Sequence, residues 1–319
     1  MISKNCKIYI AGHKGMVGSA IWRLFLSKGY SNLIGKDSKE LDLRNQSNVI
    51  DFFKIERPEV VIDAAAIVGG IMANKNNPYY FLMDNLKIQN NLIDCAHKFG
   101  VKKFIFLGSS CIYPKFAKQP LKEEYLLSDS LESTNEWYAI AKITGVKACQ
   151  AIRKQYNKDF ISLMPTNLYG FNDNFDLQSS HVLPAMIRKF HDAKENNNCS
   201  VKLWGTGSPR REFLFVDDMA KAVLFSYENK LPEHLYNVGS GIDISIRELA
   251  IMIKKIVGHR GDIIWDENKP DGTPRKLLDV SKLNNLGWKY STELENGIKK
   301  TYEWYLKNIE SVRKVNYLK

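Results

Sequence analysis

Two residues on one predicted helix, Tyr138 and Lys142, have the types and the spacing for acid–base chemistry. A separation of four residues places both side chains on the same helical face, and an ammonium beside a phenol lowers the pKa of the phenol toward a useful range. Ser109 follows a predicted strand and can hydrogen-bond the carbonyl oxygen that the phenol protonates. A bare Tyr-x-x-x-Lys pattern by itself favours a surface pair. Together with Ser109 and an N-terminal glycine turn, it predicts the catalytic triad of a carbonyl reductase.

That turn contains Gly12, Gly15 and Gly18, directly after the first predicted strand and at the start of a helix. The glycines permit a tight turn, a close approach of the backbone to a pyrophosphate, and close packing of helix on sheet. The helix N-terminus then stabilises the phosphate charge. A plain turn is the alternative interpretation. We expect a dinucleotide to contact Gly12, His13, Lys14, Gly15, Met16, Val17 and Gly18.

The residues after the second predicted strand bear on the choice of dinucleotide. A carboxylate there binds the ribose diol of NAD, whereas cations favour the 2′-phosphate of NADP. The segment reads Lys36-Asp37-Ser38-Lys39, and Lys14 adds a cation from the glycine turn. Asp37 makes the pattern ambiguous, and the lysines could simply be solvated surface. The balance of charge favours NADP(H).

These candidate residues need a scaffold that brings strand ends together, and the first half of the chain predicts one. Short apolar runs alternate with amphipathic stretches, as in βαβ units with a parallel sheet. The predicted strands are Lys7–Ala11, Asn32–Gly35, Val60–Ala66, Lys103–Leu107 and Phe160–Met164, and the predicted helices are Val17–Lys28, Tyr79–Lys98 and Glu136–Gln155.

The pattern changes after Asn167, where Gly, Pro, Asn and Asp become frequent and strands shorten. Helices are predicted near Leu183–Lys194, Asp217–Glu228, Ile246–Val257 and Glu293–Lys307. The predicted fold class is α/β: a Rossmann-type doubly wound parallel sheet with a smaller α+β C-terminal substrate domain. We expect an NADP(H)-binding domain at residues 1–167 and a substrate domain at residues 168–319, partly interleaved with the first.

Composition limits the function classes. The 319 residues carry 46 Lys and Arg against 35 Asp and Glu, a net charge of +11, and 44% are hydrophobic, which is enough for a large core. Five scattered cysteines indicate a reducing compartment. We expect a cytoplasmic protein without a membrane span, a secretory signal or a metal site. The charge is too dispersed to favour nucleic acid, and a phosphate-bearing ligand explains it as well.

Longer strings resemble the extended short-chain dehydrogenase/reductases and, among them, the GDP-L-fucose synthase family. The resemblance runs from residue 7 to about residue 307. Its strings are Ala11-Gly-His-Lys-Gly-Met-Val-Gly-Ser19, Ala64-Ala-Ala-Ile-Val-Gly-Gly70, Gly108-Ser-Ser-Cys-Ile-Tyr-Pro114, Pro165-Thr-Asn-Leu-Tyr-Gly170, Arg211-Glu-Phe-Leu-Phe-Val-Asp-Asp218 and Asp271-Gly-Thr-Pro-Arg-Lys-Leu-Leu-Asp279.

The resemblance implies that Cys111 and His181 are an epimerisation acid–base pair. By residue type alone, a cysteine is more often inert and a lone histidine more often structural. The implied reaction converts GDP-4-keto-6-deoxy-D-mannose to GDP-L-fucose by epimerisation at C3 and C5 and reduction at C4. Loss of either proton leaves an enolate whose charge sits on O4, where Ser109 and Tyr138 can donate hydrogen bonds. The resemblance also implies that Lys142 contacts the nicotinamide ribose.

The resemblance implies further contacts. Those with the substrate are Asn167, Lys189, Trp204, Arg211, Asp271 and Lys276. Those with the cofactor are Ser38, Lys39, Asp42, Leu43, Leu107, Gly108, Ser109, Ser110, Lys142, Pro165, Thr166, Asn167, Leu168 and His181. Two positions depart from the family: Lys36-Asp37-Ser38 stands for Arg-Thr-Arg, and Lys189 stands for an arginine.

Other interpretations remain open at this stage. The substrate could be another GDP-4-keto sugar, such as a GDP-6-deoxy-heptose. A pure 4-reductase would not need Cys111 and His181, and a redox-inactive NADP sensor would not need the triad. Relatives dimerise through the helices at Tyr79–Lys98 and Glu136–Gln155, so a homodimer is expected.

Overall fold

Parallel strands form the central sheet of this protein. The computed structural model describes residues 3–269 and 271–312. Its strands are β1 (Ile8–Ala11), β2 (Leu33–Ile34), β3 (Val60–Asp63), β4 (Lys103–Leu107), β5 (Asp159–Pro165), β6 (Asn167–Tyr169), β7 (Ser200–Trp204), β8 (Arg210–Phe215), β9 (Leu235–Val238), β10 (Asp243–Ser245), β11 (Asp262–Asp266) and β12 (Arg275–Lys276). Its α-helices are α1 (Met16–Ser27), α2 (Gln46–Glu56), α3 (Ile71–Asn76), α4 (Pro78–Lys98), α5 (Glu136–Tyr156), α6 (Val182–Glu195), α7 (Val216–Glu228), α8 (Ile246–Val257), α9 (Ser281–Asn285) and α10 (Leu294–Asn308).

Six of these strands pair in the order β2-β1-β3-β4-β5-β9, and every pair is parallel. The predicted doubly wound sheet is therefore confirmed. Strand β3 ends three residues before its predicted end, because the chain turns away after Asp63. Helix α2 lies where the sequence pattern predicted no element, and Asn45 caps it by accepting a hydrogen bond from the backbone N–H of Asn48.

The strand order reverses between β1 and β3, and ligands bind at such a switch point, outside the carboxyl ends of the strands. Both strands are buried along their whole length. Helices α1 and α7 cover one face of the sheet, and α2, α4 and α5 cover the other. A sheet covered on both faces must be apolar throughout, which explains the unbroken apolar runs of β1 and β4.

A second sheet begins where the first ends, because only Thr166 separates β5 from β6. Strand β8 pairs with β6 and β12 in parallel and with β10 in antiparallel. Strands β7 and β11 form a separate parallel pair. Helices α6, α8 and α10 pack around the apolar core of this region. Across residues 3–269 and 271–312, no helix is long and apolar enough to cross a bilayer.

Candidate active site

The glycine turn occupies the switch point. Gly12 has a φ of +75°, and a Cβ on it would lie 2.7 Å from the carbonyl oxygen of Ala64, which follows β3. A side chain is therefore excluded at Gly12 by both conformation and space. Gly18 packs against the backbone of the turn in the same way. The N-terminus of α1 is left facing the crevice, as pyrophosphate binding requires.

His13 and Lys14 belong to the same glycine turn. The ring of His13 packs on Trp22 and against Gly35, where a Cβ would collide with it. The Nδ1 atom of His13 is buried without a hydrogen-bond partner in the described residues. A buried polar atom next to an anion-binding turn is what a bound dinucleotide would satisfy. The residues at this turn fit the predicted cofactor.

The segment after β2, residues 36–40, has less free positive charge than its lysines suggest. The Lys14 Nζ lies 2.6 Å from Asp37 Oδ2, and this hydrogen bond, together with the N–H groups of Lys39 and Glu40, lowers the pKa of Asp37 to about 2. Lys36 pairs with Glu40 at 3.6 Å. The side chains of Ser38 and Lys39 are exposed. A 2′-phosphate here would compete with Asp37 for Lys14.

Asp42 and Leu43 have structural partners. The Asp42 carboxylate is paired with Arg44, which also contacts Asp84 at 3.0 Å. The Leu43 carbonyl accepts a hydrogen bond from the Asn91 side chain. Both residues lie between the segment after β2 and helix α4. Their contact with a cofactor stays a prediction.

The predicted Tyr138 and Lys142 lie together on α5, almost out of solvent, with 9% and 3% of their surface exposed. The Lys142 Nζ donates to the carbonyl of Leu107 at 2.9 Å and lies 5.9 Å from the centre of the Tyr138 ring. It also lies 4.7 Å above the Phe106 ring. Gly145 makes this close approach possible, because a side chain there would collide with Phe106.

The structure corrects one expectation about this pair. The pKa of Tyr138 is raised, first by burial and then by Cys111 and Asp63, instead of being lowered by Lys142. Burial is the largest cause of this shift, and the Lys142 ammonium donates its hydrogen bond to the Leu107 carbonyl. A phenol with a raised pKa keeps its proton at neutral pH, which is the form that a proton donor to a ketone needs.

Ser109 and Cys111 lie directly against this pair. Ser109 ends the extended segment after β4, and its Oγ accepts a hydrogen bond from the Cys111 N–H at 3.3 Å. Cys111 shares a small apolar cluster with Tyr138 and Phe81. Burial raises the pKa of the Cys111 thiol, and Lys276 acts in the opposite direction, followed by a hydrogen bond from Ser109. A thiol, a phenol and a hydroxyl therefore converge at the carboxyl edge of β4.

His181 is brought to the same edge by a loop contact. The Gly70 N–H donates to the carbonyl of Ser179 at 3.1 Å, and a Cβ on Gly70 would lie 2.8 Å from the carbonyl oxygen of Ser180. The string Ala64–Gly70 thus fixes the residues that precede His181. His181 is the N-cap residue of α6 at the solvent edge, yet the surrounding protein and Lys276 lower the pKa of its imidazole. Both influences favour the neutral ring.

Lys276 has an electrostatic influence that sequence reasoning did not anticipate. Its nucleotide contact stays a prediction, and its charge also acts on Cys111 and His181. Strand β12 pairs Lys276 with Arg211 of β8. Burial lowers the pKa of Lys276, and Cys111 raises it. The charge of one lysine therefore influences both residues of the expected epimerisation pair.

The nucleotide side of the site is more open. Trp204 ends β7 with 50% of its surface exposed, and Lys189 and Lys269 lie 5.9 and 5.5 Å from its ring centre. Sequence reasoning missed Lys269, for which only its nearness to Asp271 could have been a signal. Both oxygens of Asp271 accept hydrogen bonds from Thr206, so this carboxylate fixes the turn after Trp204.

Glu212 is a buried residue that connects the two sheets. Its backbone carbonyl accepts hydrogen bonds from the Thr166 hydroxyl and the Asn167 amide, and its carboxylate accepts N–H groups of Gly241 and Leu278. Burial raises the pKa of Glu212 to about 7.

The cofactor contacts predicted nearby all lie along the carboxyl edges of β4 and β5: Leu107, Gly108, Ser110, Pro165, Thr166, Asn167 and Leu168.

The glycine turn at a Rossmann switch point and the Tyr-Lys pair are the features expected of a short-chain dehydrogenase/reductase. The chain belongs to the NAD dependent epimerase/dehydratase family, which it matches over residues 8–239. Within that family, GDP-L-fucose synthase 1 from Arabidopsis thaliana is 56% identical over 97% of this chain and 96% of its own length. The resemblance to GDP-L-fucose synthases is therefore confirmed.

Two solved structures share the fold over nearly the whole chain. A GDP-L-fucose synthetase from Naegleria fowleri bound to NADP has a TM-score of 0.89 and 31% identity, and the match covers 98% of this chain and 96% of that one. A GDP-6-OMe-4-keto-L-xylo-heptose reductase from C. jejuni has a TM-score of 0.92 and 40% identity, over 96% and 99%. Both proteins act in GDP-sugar chemistry, as their names state.

Proposed function

We propose that this chain is an NADP(H)-dependent enzyme that converts GDP-4-keto-6-deoxy-D-mannose to GDP-L-fucose. The observation that carries the proposal is the convergence at the edge of β4: Cys111 hydrogen-bonds Ser109 and packs in one cluster with Tyr138. A pure reductase has no use for a thiol in that place. The similarity to GDP-L-fucose synthases supports the same substrate.

In this proposal, the two halves of the chain bind different ligands. Residues 1–167 hold NADP(H) at the switch point through the glycine turn, Lys14 and the edge of β4 and β5. Residues 168–319 bind the nucleotide sugar. The exposed Trp204 ring offers a stacking surface for guanine, and Lys189 and Arg211 supply charge for the pyrophosphate.

Epimerisation uses Cys111 and His181. One group removes a proton from C3 or C5, and the other returns a proton on the opposite face of the sugar. Hydrogen bonds from Ser109 and Tyr138 stabilise the enolate charge on O4. Burial favours the protonated thiol of Cys111 and, together with the Lys276 charge, the neutral form of His181, so the imidazole is a base that can take up a proton and the thiol is an acid that can supply one.

Reduction uses the α5 pair. When bound, NADPH supplies the hydride for C4. Tyr138 gives its proton to O4, and the phenol, whose pKa is raised by burial, carries that proton at neutral pH. Lys142 would exchange its hydrogen bond with the Leu107 carbonyl for the hydroxyl groups of the nicotinamide ribose. That exchange turns the ammonium into the crevice.

We also propose a cytoplasmic homodimer. The paired helices α4 and α5 present a shallow apolar depression lined by Asn90, Ile93, Asp94, Ala148, Ala151 and Ile152. Two copies of this face could form a four-helix bundle. The five cysteines are free, as expected in a reducing compartment. Sedimentation of the purified protein tests the dimer, and a monomer at micromolar concentration would contradict it.

One experiment separates the substrates. The purified protein is incubated with NADPH and either GDP-4-keto-6-deoxy-D-mannose or a GDP-4-keto-6-deoxy-heptose, and the products are identified by NMR. We expect GDP-L-fucose as the product formed with the higher kcat/KM. The heptose alternative is favoured by the fold match to the C. jejuni reductase, and a higher kcat/KM for the heptose would establish it in place of our proposal.

A further inference from the structure

Asp63 is a buried carboxylate that the proposed reaction does not use. It is the last residue of β3, with none of its surface exposed. Its Oδ1 accepts a hydrogen bond from the Ala65 N–H at 3.1 Å, and its Oδ2 has no hydrogen-bond partner among the residues that the structure describes. A buried carboxylate with one free oxygen costs folding free energy. Such a cost is expected where the charge has a function.

The strand register places Asp63 next to the reductase pair. Asp63 is opposite Phe106 of β4, and the Lys142 Nζ lies 4.7 Å from the centre of the Phe106 ring. The same Nζ is hydrogen-bonded to Leu107, one residue further along that strand. The carboxylate and the ammonium thus both lie near Phe106, on the face of the sheet that α5 covers.

The titratable groups that interact with Asp63 come from two elements. Strand β1 contributes Tyr9, and α5 contributes Tyr138, Lys142 and Cys149. All of these except Lys142 are neutral when protonated, so Lys142 supplies the positive charge. Burial raises the pKa of Asp63 to about 6, with Lys142 as the main opposing influence. Burial lowers the pKa of Lys142, and Asp63 is the main influence that raises it.

We propose that Asp63 is a positioning residue for the reduction, whose carboxylate is the buried counter-ion that keeps the Lys142 ammonium charged. The inference rests on the proposed function of the Tyr138 and Lys142 pair. It adds a residue from β3 that no motif of the reductase triad contains. Without Asp63, the ammonium would lose its proton more readily, and the ribose site would lose its cation.

The sign of the effect follows from the two shifts. Above neutral pH, Lys142 loses its proton before Tyr138, because burial lowers the pKa of the first and raises that of the second. The loss of reductase activity at high pH therefore reports Lys142. Removal of the Asp63 charge takes away the main influence that holds the Lys142 pKa up, so activity should disappear at a lower pH.

The test is Asp63→Asn, which keeps the size of the side chain and removes its charge. Lysines are labelled with ¹³C at Cε, and the Lys142 resonance is identified by its loss in Lys142→Met. We expect the midpoint of the Lys142 titration to fall by about one pH unit in the variant. The pH at which kcat for NADPH oxidation falls to half of its maximum, on the high-pH side, should decrease by the same amount. If Asp63→Asn does not fold, Asp63→Ala takes its place.

Asp173 provides a matched control. It is also buried, with 4% exposed, and it also has an Oδ2 without a partner in the described residues. Its pKa is raised to about 7 by burial. Asp173→Asn should leave the Lys142 midpoint where it is. An unchanged midpoint in Asp63→Asn, or an equal shift in both variants, overturns the proposal. A wild-type protein that does not form GDP-L-fucose contradicts the proposed function, whereas the NMR titration still decides the role of Asp63.

Discussion

Tyr138 and Lys142 expose 9% and 3% of their surface, whereas Trp204, at the nucleotide side of the same cleft, exposes 50%. In the buried region, each titratable group has a shifted pKa with an identifiable cause. In the open region, Lys189 and Lys269 lie beside an exposed ring. Burial strengthens electrostatic interactions and makes small displacements costly, which suits proton transfer. An open aromatic surface suits binding and release.

The largest effect is expected in the buried region. Tyr138→Phe should lower the rate of C4 reduction about 10³-fold, because the proton donor to O4 is lost. Exchange of the C3 and C5 protons with deuterated solvent should survive, since Cys111 and His181 are intact. Stopped-flow absorbance of NADPH and NMR of the recovered sugar measure the two steps. Tyr156→Phe, at the exposed far end of the same helix, is the control and should change neither.

Cys111→Ser should separate the two reactions in the opposite sense. A serine hydroxyl is a much weaker acid than a thiol, so solvent exchange at C3 and C5 should slow about 10²-fold. The exposed Cys199 offers a matched control, and Cys199→Ser should exchange at the normal rate. Normal exchange in Cys111→Ser would remove Cys111 from the mechanism.

Trp204→Ala tests the open region. Loss of a stacking surface worth about 1–3 kcal/mol should raise KM for the GDP-sugar roughly tenfold and leave kcat nearly unchanged. Trp204→Phe keeps an aromatic ring and should lose less. These values come from steady-state kinetics at saturating NADPH. A fall in kcat with an unchanged KM would mean that this face takes part in the chemistry, and the contrast between the two regions would fail.

Lys276→Met has the smallest expected effect. It tests whether Lys276 acts in the buried region or in the open region. Removal of the cation raises the pKa of Cys111, because Lys276 is the main influence that lowers it. The thiol is then a weaker acid, so exchange at neutral pH should slow about fivefold and its pH profile should move upward. Lys255→Met, an exposed lysine on α8, is the control. An unchanged profile with a raised KM would return Lys276 to the nucleotide contacts.

Local patterns predicted much of the scaffold. The run Lys103–Leu107 matches β4 at both ends, and Ile246–Val257 matches α8, because apolar periodicity and capping residues are local properties. The glycine turn was predictable for the same reason. Helix α2 was missed since its apolar pattern is weak. The roles of the site residues beyond their positions stay predictions.

What the sequence determined by itself is the order of the main elements of the first half of the chain, the fold class and the residue types available for chemistry. Only the tertiary structure decided which charges act on which groups: Asp63 acts on Lys142, Lys276 acts on both Cys111 and His181, and burial raises the pKa of the Tyr138 phenol. The physical reason is that a pKa depends on distance and burial in space. Strand register and loop contacts determine the distance and the burial, and they bring together residues that lie far apart along the chain.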